Sequence, residues 1–514
     1  MSKRVIPLPY DAVVSKTARV QEQPTTQPGQ SAGLQVGVSG EEEPAPLRLD
    51  QLPRHPFAEV VRRLPLEDRL RAEQVCRVFR ERVHYDDLLA ANTTQLSLRP
   101  VPQWSLRRLH SLLLLLRPRL GGHLLSLEIR DAECSRALLQ LVSQAFPGLQ
   151  SLSLHNLSLQ SMLELPAIPD VPRLHFSALH FPLAEDSTHL AKCLSAALSS
   201  KRSLTHLQVQ CPAATLDPFG GATTAESTGF ALASPGLRSL HLDGLKSFRD
   251  LDLRFLCANC PQIEVLRING TSVTDLKAVG QLRALRQLHL AKVKLLGESS
   301  LQDVAEGCKS LRQLDLSSCA GLTDLGPLRH LPELHSLSVW QCKFLTDAKL
   351  RPICKRGLLT SVNLGYTGVT EKGVLTLAKF CPNLRKLVLH LRKTTPQEYP
   401  NFLRDLLHDC AKLDHLGCSA GGPEQEKYLL DGVLEEGGRL RTLSLIQPSN
   451  WSAILAFGMQ RAALIRATSH HRLRPLWLRL HGLATLPPEL ACVRSELATT
   501  ALIHITTHSG PSTL

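Results

Sequence analysis

Along most of this chain the apolar residues recur in one six-residue pattern, apolar-x-x-apolar-x-apolar. Clear copies are LQSLSL from Leu149, LTHLQV from Leu204, LRSLHL from Leu237, IEVLRI from Ile263 and LRQLHL from Leu285. LRQLDL from Leu311, LHSLSV from Leu334, LTSVNL from Leu359, LRKLVL from Leu384, LDHLGC from Leu413 and LRTLSL from Leu440 continue the series. From Leu204 onward the spacing averages about 26 residues. Weaker copies fall in phase at Thr93, Leu124, Phe176 and Leu473. Alternation of period two inside each copy predicts a short strand with one buried face, and the rest of each unit has room for one helix. A unit this small cannot bury its apolar face alone, so neighbours stack into a continuous solenoid. The expected class is therefore α/β over residues 93–446, with a curved parallel sheet inside and helices outside.

The flanks read differently. Residues 1–46 contain QEQPTTQPGQSAGLQVGVSGEEEP, with no apolar period, and are expected to be disordered because they bury too little to offset ordering entropy. Residues 47–92 are expected to form two or three short helices. Phe57, Val60, Val61 and Leu64 share one helical face that Pro65 terminates, and Ala72, Val75, Cys76, Phe79 and Val83 repeat the spacing. Such a core of about 40 residues is too small to stand comfortably alone and should lean on a partner or on the rest of the chain. Past Leu445 the phase fades. WSAILAFGMQRAALIRATSHH reads as a capping helix and LPPELACVRSELATTALIHITTHS has no clear register, so residues 447–514 are expected to be a cap or irregular tail.

Composition narrows the function classes. Hydrophobic residues make up 43% and aromatics 4%, so the core is built from leucine. The net charge of +13 is scattered rather than blocked, and few aromatics are present to stack bases. Acidic protein partners suit that surface better than nucleic acid. The apolar run at Leu112–Leu116 falls far short of the roughly 20 residues a membrane span needs. MSKRVIPLPYDAVVSK lacks a secretory core, and fourteen cysteines without one point to reduced thiols in the cytoplasm or nucleus.

The CANC stretch at Cys257 and Cys260 invites a zinc reading, but a structural site usually takes two such pairs and no second pair follows. Repeat phase gives a better account. Cys260, Cys308, Cys381 and Cys410 each precede a hexad by three residues, while Cys319 and Cys342 follow the hexad start by eight. Thr271 and Thr367 occupy the latter place in other units, so a small weak donor is expected to suit a buried turn there. No metal or cofactor is expected.

LRQLDLSSCAGLTD and LHSLSVWQCKFLTD resemble the cysteine-containing class of leucine-rich repeat. Ahead of the repeats, LPRHPFAEVVRRLPLEDRLRAEQVCRVFRERVHYDDLL resembles an F-box, with Leu52-Pro53, Leu64-Pro65 and Val75-Cys76-Arg77 before Phe79-Arg80 in place. It departs from that motif at His55, Pro56 and Val61, and it lacks the closing Trp. The combination is similar to the F-box/leucine-rich-repeat family, substrate receptors of SCF-type ubiquitin ligases. The resemblance implies a Skp-type adaptor, and through it a cullin, docked on Leu52, Pro53, Phe57, Val60, Val61, Leu64, Pro65, Leu70, Val75, Cys76 and Phe79. The residues alone admit a second role for these helices, an N-terminal cap on the first repeats.

No nucleophile elbow, phosphate-binding glycine loop or HExxH motif appears, so no catalysis is expected of this chain. The residues expected to meet a protein substrate point away from the leucines on each strand. They run His241, Arg267, His289, Asp315, Ser338, Asn363, with a second column through Trp340 to His390. Trp340 either anchors a partner or packs under an adjacent loop. The alternative to a ligase receptor is a repeat scaffold that binds proteins without any ligase.

Overall fold

The structure, a computed structural model, describes residues 59–60 and most of 94–508, with two longer gaps at 178–194 and 211–231. All described residues fall in one compact unit, Ala58–Leu514. Of the expected adaptor-facing positions, Val60 is helical and 42% exposed. Leu52, Pro53, Phe57, Val61, Leu64, Pro65, Leu70, Val75, Cys76 and Phe79 lie outside the described residues.

Sixteen strands form one parallel sheet in strict sequence order. They begin with β1 (Gln95–Leu98), β2 (Ser126–Arg130), β3 (Ser151–His155), β4 (Arg173–Ser177), β5 (His206–Gln210) and β6 (Ser239–Asp243). The short central strands are β7 (Val265–Arg267), β8 (Gln287–His289), β9 (Gln313–Asp315), β10 (Ser336–Ser338) and β11 (Ser361–Asn363). The last five are β12 (Lys386–Leu391), β13 (His415–Ala420), β14 (Thr442–Ile446), β15 (Leu476–His481) and β16 (Ile503–His508). Every pair is parallel, and most described connections carry a helical segment that returns the chain to the same edge. Leucines of the hexads, such as Leu240, Leu266, Leu288, Leu314 and Leu337, are buried and merge into one core. Fully burying one such side chain contributes about 1.5–3 kcal/mol.

Repeat length selects the kind of helix. The 26-residue and longer units carry α-helices such as Asp250–Asn259, Ser300–Gly307 and Pro423–Glu436. The two shortest central units carry 3-10 segments instead, Lys277–Gln281 and Gly326–His330. A 3-10 helix rises about 2.0 Å per residue against 1.5 Å for an α-helix, so it spans the outer layer with fewer residues. Where Ser300–Gly307 meets Lys277–Gln281 the backbones touch. A Cβ on Gly307 would fall 1.8 Å from the Gly280 carbonyl oxygen.

Among the described residues, eight of the sixteen strands leave the sheet through one left-handed residue, three positions beyond the central outward-facing residue. Gly244, Gly270, Lys292, Ser318, Gln341, Tyr366, Gln447 and Gly482 all have positive φ there. The twist aims a backbone N–H at the next unit. Gly270 donates to Ala291 O at 2.7 Å, Lys292 to Ser317 O at 2.8 Å and Gln341 to Gly365 O at 2.8 Å. On the helical side, Asp250 accepts from the backbone N–H and hydroxyl of Thr274, both at 2.7 Å, and Asp347 accepts likewise from Thr370 at 2.8 and 2.6 Å. The Asp347 link gives the Leu345-Thr346-Asp347 stretch a structural reason.

Two expectations change. The weak copy placed at Phe176 belongs five residues earlier, because Leu152 pairs with Leu174 and Leu154 with Phe176, making VPRLHF from Val171 the hexad. The tail is not irregular. After the helix Trp451–Thr468, in the place read as a cap, β15 and β16 extend the ladder with Leu478 opposite Ile505. Among the described residues no helix is long and apolar enough to cross a membrane.

Candidate functional site

Opposite the helices, the outward residues of the strands form continuous rows. Register links His241 to Arg267, Arg267 to His289, His289 to Asp315, Asp315 to Ser338 and Ser338 to Asn363. The same row runs back to Gln208, His175, Ser153 and Glu128. Forward it continues through Val388, Gly417, Ser444 and Arg479 to Thr506. Outward residues alternate with buried leucines along β2, β3, β6 and β8, as the pleat requires.

From β1 to β10 the carboxylates of this face are matched. Glu128 takes Arg130 Nε at 2.6 Å and His155 Nε2 at 3.1 Å. Asp243 holds Arg267 through Nε, at 2.9 Å to Oδ1 and 2.7 Å to Oδ2. Asp315 accepts from Ser317 N at 3.0 Å and Ser317 Oγ at 2.5 Å, with His289 Nδ1 at 3.8 Å. Burial opposes ionisation of Asp315, but His289 and Ser317 outweigh it and hold the carboxyl below its usual range. His175 is pushed down to about 4, first by burial and then by His155, whose ring meets it edge-on at 4.6 Å.

An aromatic row closes this half. Trp340 is half-buried against Gly365, where a Cβ would lie 2.6 Å from Trp340 Cδ1. Its edge meets Tyr366 at 5.8 Å between centroids, and Tyr366 stacks on His390 at 4.5 Å. The Tyr366 hydroxyl pairs with Ser419 Oγ at 2.8 Å and donates to Gln447 Oε1 at 3.4 Å. Trp340 thus packs against the turn that leaves the next strand while keeping part of its surface exposed. Its indole N–H is sealed from solvent without an acceptor among the described residues. Sequence reasoning overlooked Tyr366, which stands at the left-handed position. The in-phase glycines Gly244, Gly270 and Gly482 were the available signal.

Nine of the described cysteines are buried, whereas Cys492 is exposed. Cys308 Sγ donates to Val279 O at 3.2 Å, Cys319 to Leu290 O at 3.0 Å and Cys342 to Leu316 O at 3.2 Å, each reaching the preceding unit. Thr271 and Thr367 instead bond within their own turns, to Ile268 O and Leu364 O. Burial pushes the thiols of Cys257, Cys308 and Cys319 up to about 12, which disfavours the thiolate a metal would take. Among the described residues no three His, Cys, Asp or Glu side chains converge in the way a metal site requires.

Comparison with known proteins completes the picture. The F-box domain family matches residues 49–90. F-box/LRR-repeat protein 12 of Bos taurus is 29% identical over 362 residues, covering 66% of this chain and 96% of that protein. F-box/LRR-repeat protein 4 of Bos taurus is 23% identical over 173 residues, covering 31% of this chain. The chain spans 27% of the length of that second protein. Among solved structures, an internalin (inlF) from Listeria monocytogenes has TM-score 0.38 and 15% identity, covering 76% of this chain and 92% of its own. A chain of the yeast Rad7 and Elc1 complex has TM-score 0.42 and 15% identity, covering 72% and 87%. The ladder itself defines a leucine-rich-repeat solenoid of alternating strands and helices. With an F-box match ahead of it, the chain is similar in its order of parts to the F-box/LRR-repeat proteins.

Proposed function

We propose that this chain is the non-catalytic substrate-recognition subunit of an SCF-type ubiquitin ligase. The F-box docks a Skp-type adaptor, and through it a cullin. The repeats hold a protein substrate so that ubiquitin transfer becomes effectively intramolecular. Supporting this reading is the order of parts, an F-box at residues 49–90 directly ahead of a sixteen-stranded repeat sheet. The substrate lies along the outward rows at His241, Arg267, His289, Asp315, Trp340, Asn363 and His390, a surface preset by the ladder at little ordering cost.

The test removes residues 48–89 and asks whether adaptor and cullin still coprecipitate with the chain. The truncated protein should lose both and keep its solenoid circular-dichroism spectrum, because stacked repeats are held by nearest-neighbour interfaces. Recovery of adaptor and cullin with the truncated chain overturns the assignment. Failure of the intact chain to recover them leaves the scaffold reading in its place.

A further inference from the structure

From β11 to β16 the outward face changes character. Its positions carry Lys386 and Arg479, the histidines His390, His415, His481, His504 and His508, and no Asp or Glu among the described residues. Lys386 and Arg479 are each partly buried, and neither makes an ion pair among the described residues. His415 stands between them in the sheet, one strand from Lys386, with Ser444 Oγ at 3.3 Å from its Nε2. Both cations act on it. Burial first, then Lys386, Arg479 and His481, hold His415 down at about 3, so at neutral pH it is an uncharged donor and acceptor rather than a third cation. Burial and then Arg479 lower Lys386. Half-burying two like charges without a partner carries a desolvation cost that an external anion relieves.

We propose that the outward face of β12–β15 docks an anionic polypeptide segment of a partner protein, its carboxylate or phosphate seated between Lys386 and Arg479. The guanidinium supplies fork-like donors and the ammonium a point charge, which suits either oxyanion. Ser444 and His415 line the strip between them. The Trp340–Tyr366–His390 row adjoins it and supplies apolar contact for the residues beside the anion. This site extends the proposed substrate face toward the C-terminus and rests on that reading only for the partner's identity as substrate.

The test measures anisotropy of two labelled peptides on the intact chain, hexaglutamate and a glycine-spaced phosphoserine peptide, with hexaglutamine as control. Lys386→Gln and Arg479→Gln should each weaken both anionic peptides about tenfold, the usual loss for a charge-assisted hydrogen bond. Lys386→Arg should retain binding, and Lys372→Gln on the helical face should change nothing. A larger loss for the phosphoserine peptide assigns the anion as phosphate, and equal losses assign it as carboxylate. Equal weakening by Lys372→Gln would reduce the effect to diffuse net charge and overturn the site. Undiminished binding by both glutamine variants overturns it too. An oligonucleotide that displaces the peptides in a Lys386-dependent manner assigns the face to nucleic acid instead. Binding that emerges only after Glu41, Glu42 and Glu43 are changed to Gln assigns it to the chain's own acidic run. Adaptor coprecipitation is read separately, so loss of the ligase reading leaves this result standing.

Discussion

The two halves of one sheet face handle charge in opposite ways. From β1 to β10 three carboxylates, Glu128, Asp243 and Asp315, each sit beside a cation or a histidine of the same face. From β11 to β16 two cations and five histidines share the face with no carboxylate among the described residues. Backbone register and leucine core are the same in both, so the contrast arises from the outward residues alone. A matched face stabilises its own chain and offers little net field. An unmatched one costs stability and keeps attraction in reserve for a partner.

The contrast is sharpest at Asp315. Replacing it with Asn removes the charge that orders Ser317 and His289, and urea unfolding should show a loss of about 2 kcal/mol. An unchanged midpoint would mean the central charges are not coupled to folding. Because the folded Asp315 carboxyl is depressed, its contribution is present above the unfolded value near 3.8 and lost as pH falls through the folded one.

Lys386→Gln and Arg479→Gln should behave in the reverse sense, raising the melting temperature by the equivalent of a few tenths to about 1 kcal/mol. The double variant should gain less than the sum, since either change relieves the same repulsion. Destabilisation by both single variants would show that the cations are matched after all.

Acid should reach both halves through histidine. His175 and His415 titrate near 6.5 when unfolded, but at about 4 and about 3 when folded. The unfolded chain therefore binds protons first. Stability is complete above about pH 6.5 and declines progressively toward pH 3. His415→Gln should flatten thermal denaturation measured between pH 7 and pH 4. A profile as steep as that of the parent protein would assign the acid sensitivity elsewhere.

How much of this was readable in advance differs by layer. Hexad spacing located the strands because a period-two apolar pattern and a repeat length leave one register open at most sites. At Phe176 both VPRLHF and FSALHF satisfy the pattern, and hydrogen-bond register with β3, which sequence does not encode locally, selects the first. The tail was missed because Ile503 and Ile505 stand in a Thr- and His-rich stretch without a leucine hexad. The outward rows followed from alternation. Their electrostatics did not, because which cation meets which carboxylate depends on residues 24 to 26 positions apart, as with Arg267 and Asp243 or Asp315 and His289.

The smallest effects should come from the left-handed turn residues, where the two halves are compared at one backbone position. Lys292, with φ 61°, lies in the matched half, and Tyr366, with φ 56°, stands where the unmatched half begins. A non-glycine side chain in that region carries backbone strain that glycine lacks. Lys292→Gly should therefore leave stability unchanged or raise it by up to about 1 kcal/mol, the unfolded chain's added freedom offsetting part of the relief. Tyr366→Gly gains the same relief but forfeits its ring contacts with Trp340 and His390, worth about 0.5–1.5 kcal/mol each, and its hydroxyl bonds to Ser419 and Gln447. It should end as a net loss in the same denaturation assay. The difference between the two variants measures what the aromatic row contributes to the fold. If Tyr366→Gly is as benign as Lys292→Gly, that row contributes nothing to folding, and the retention of three rings there has to be sought in what they bind.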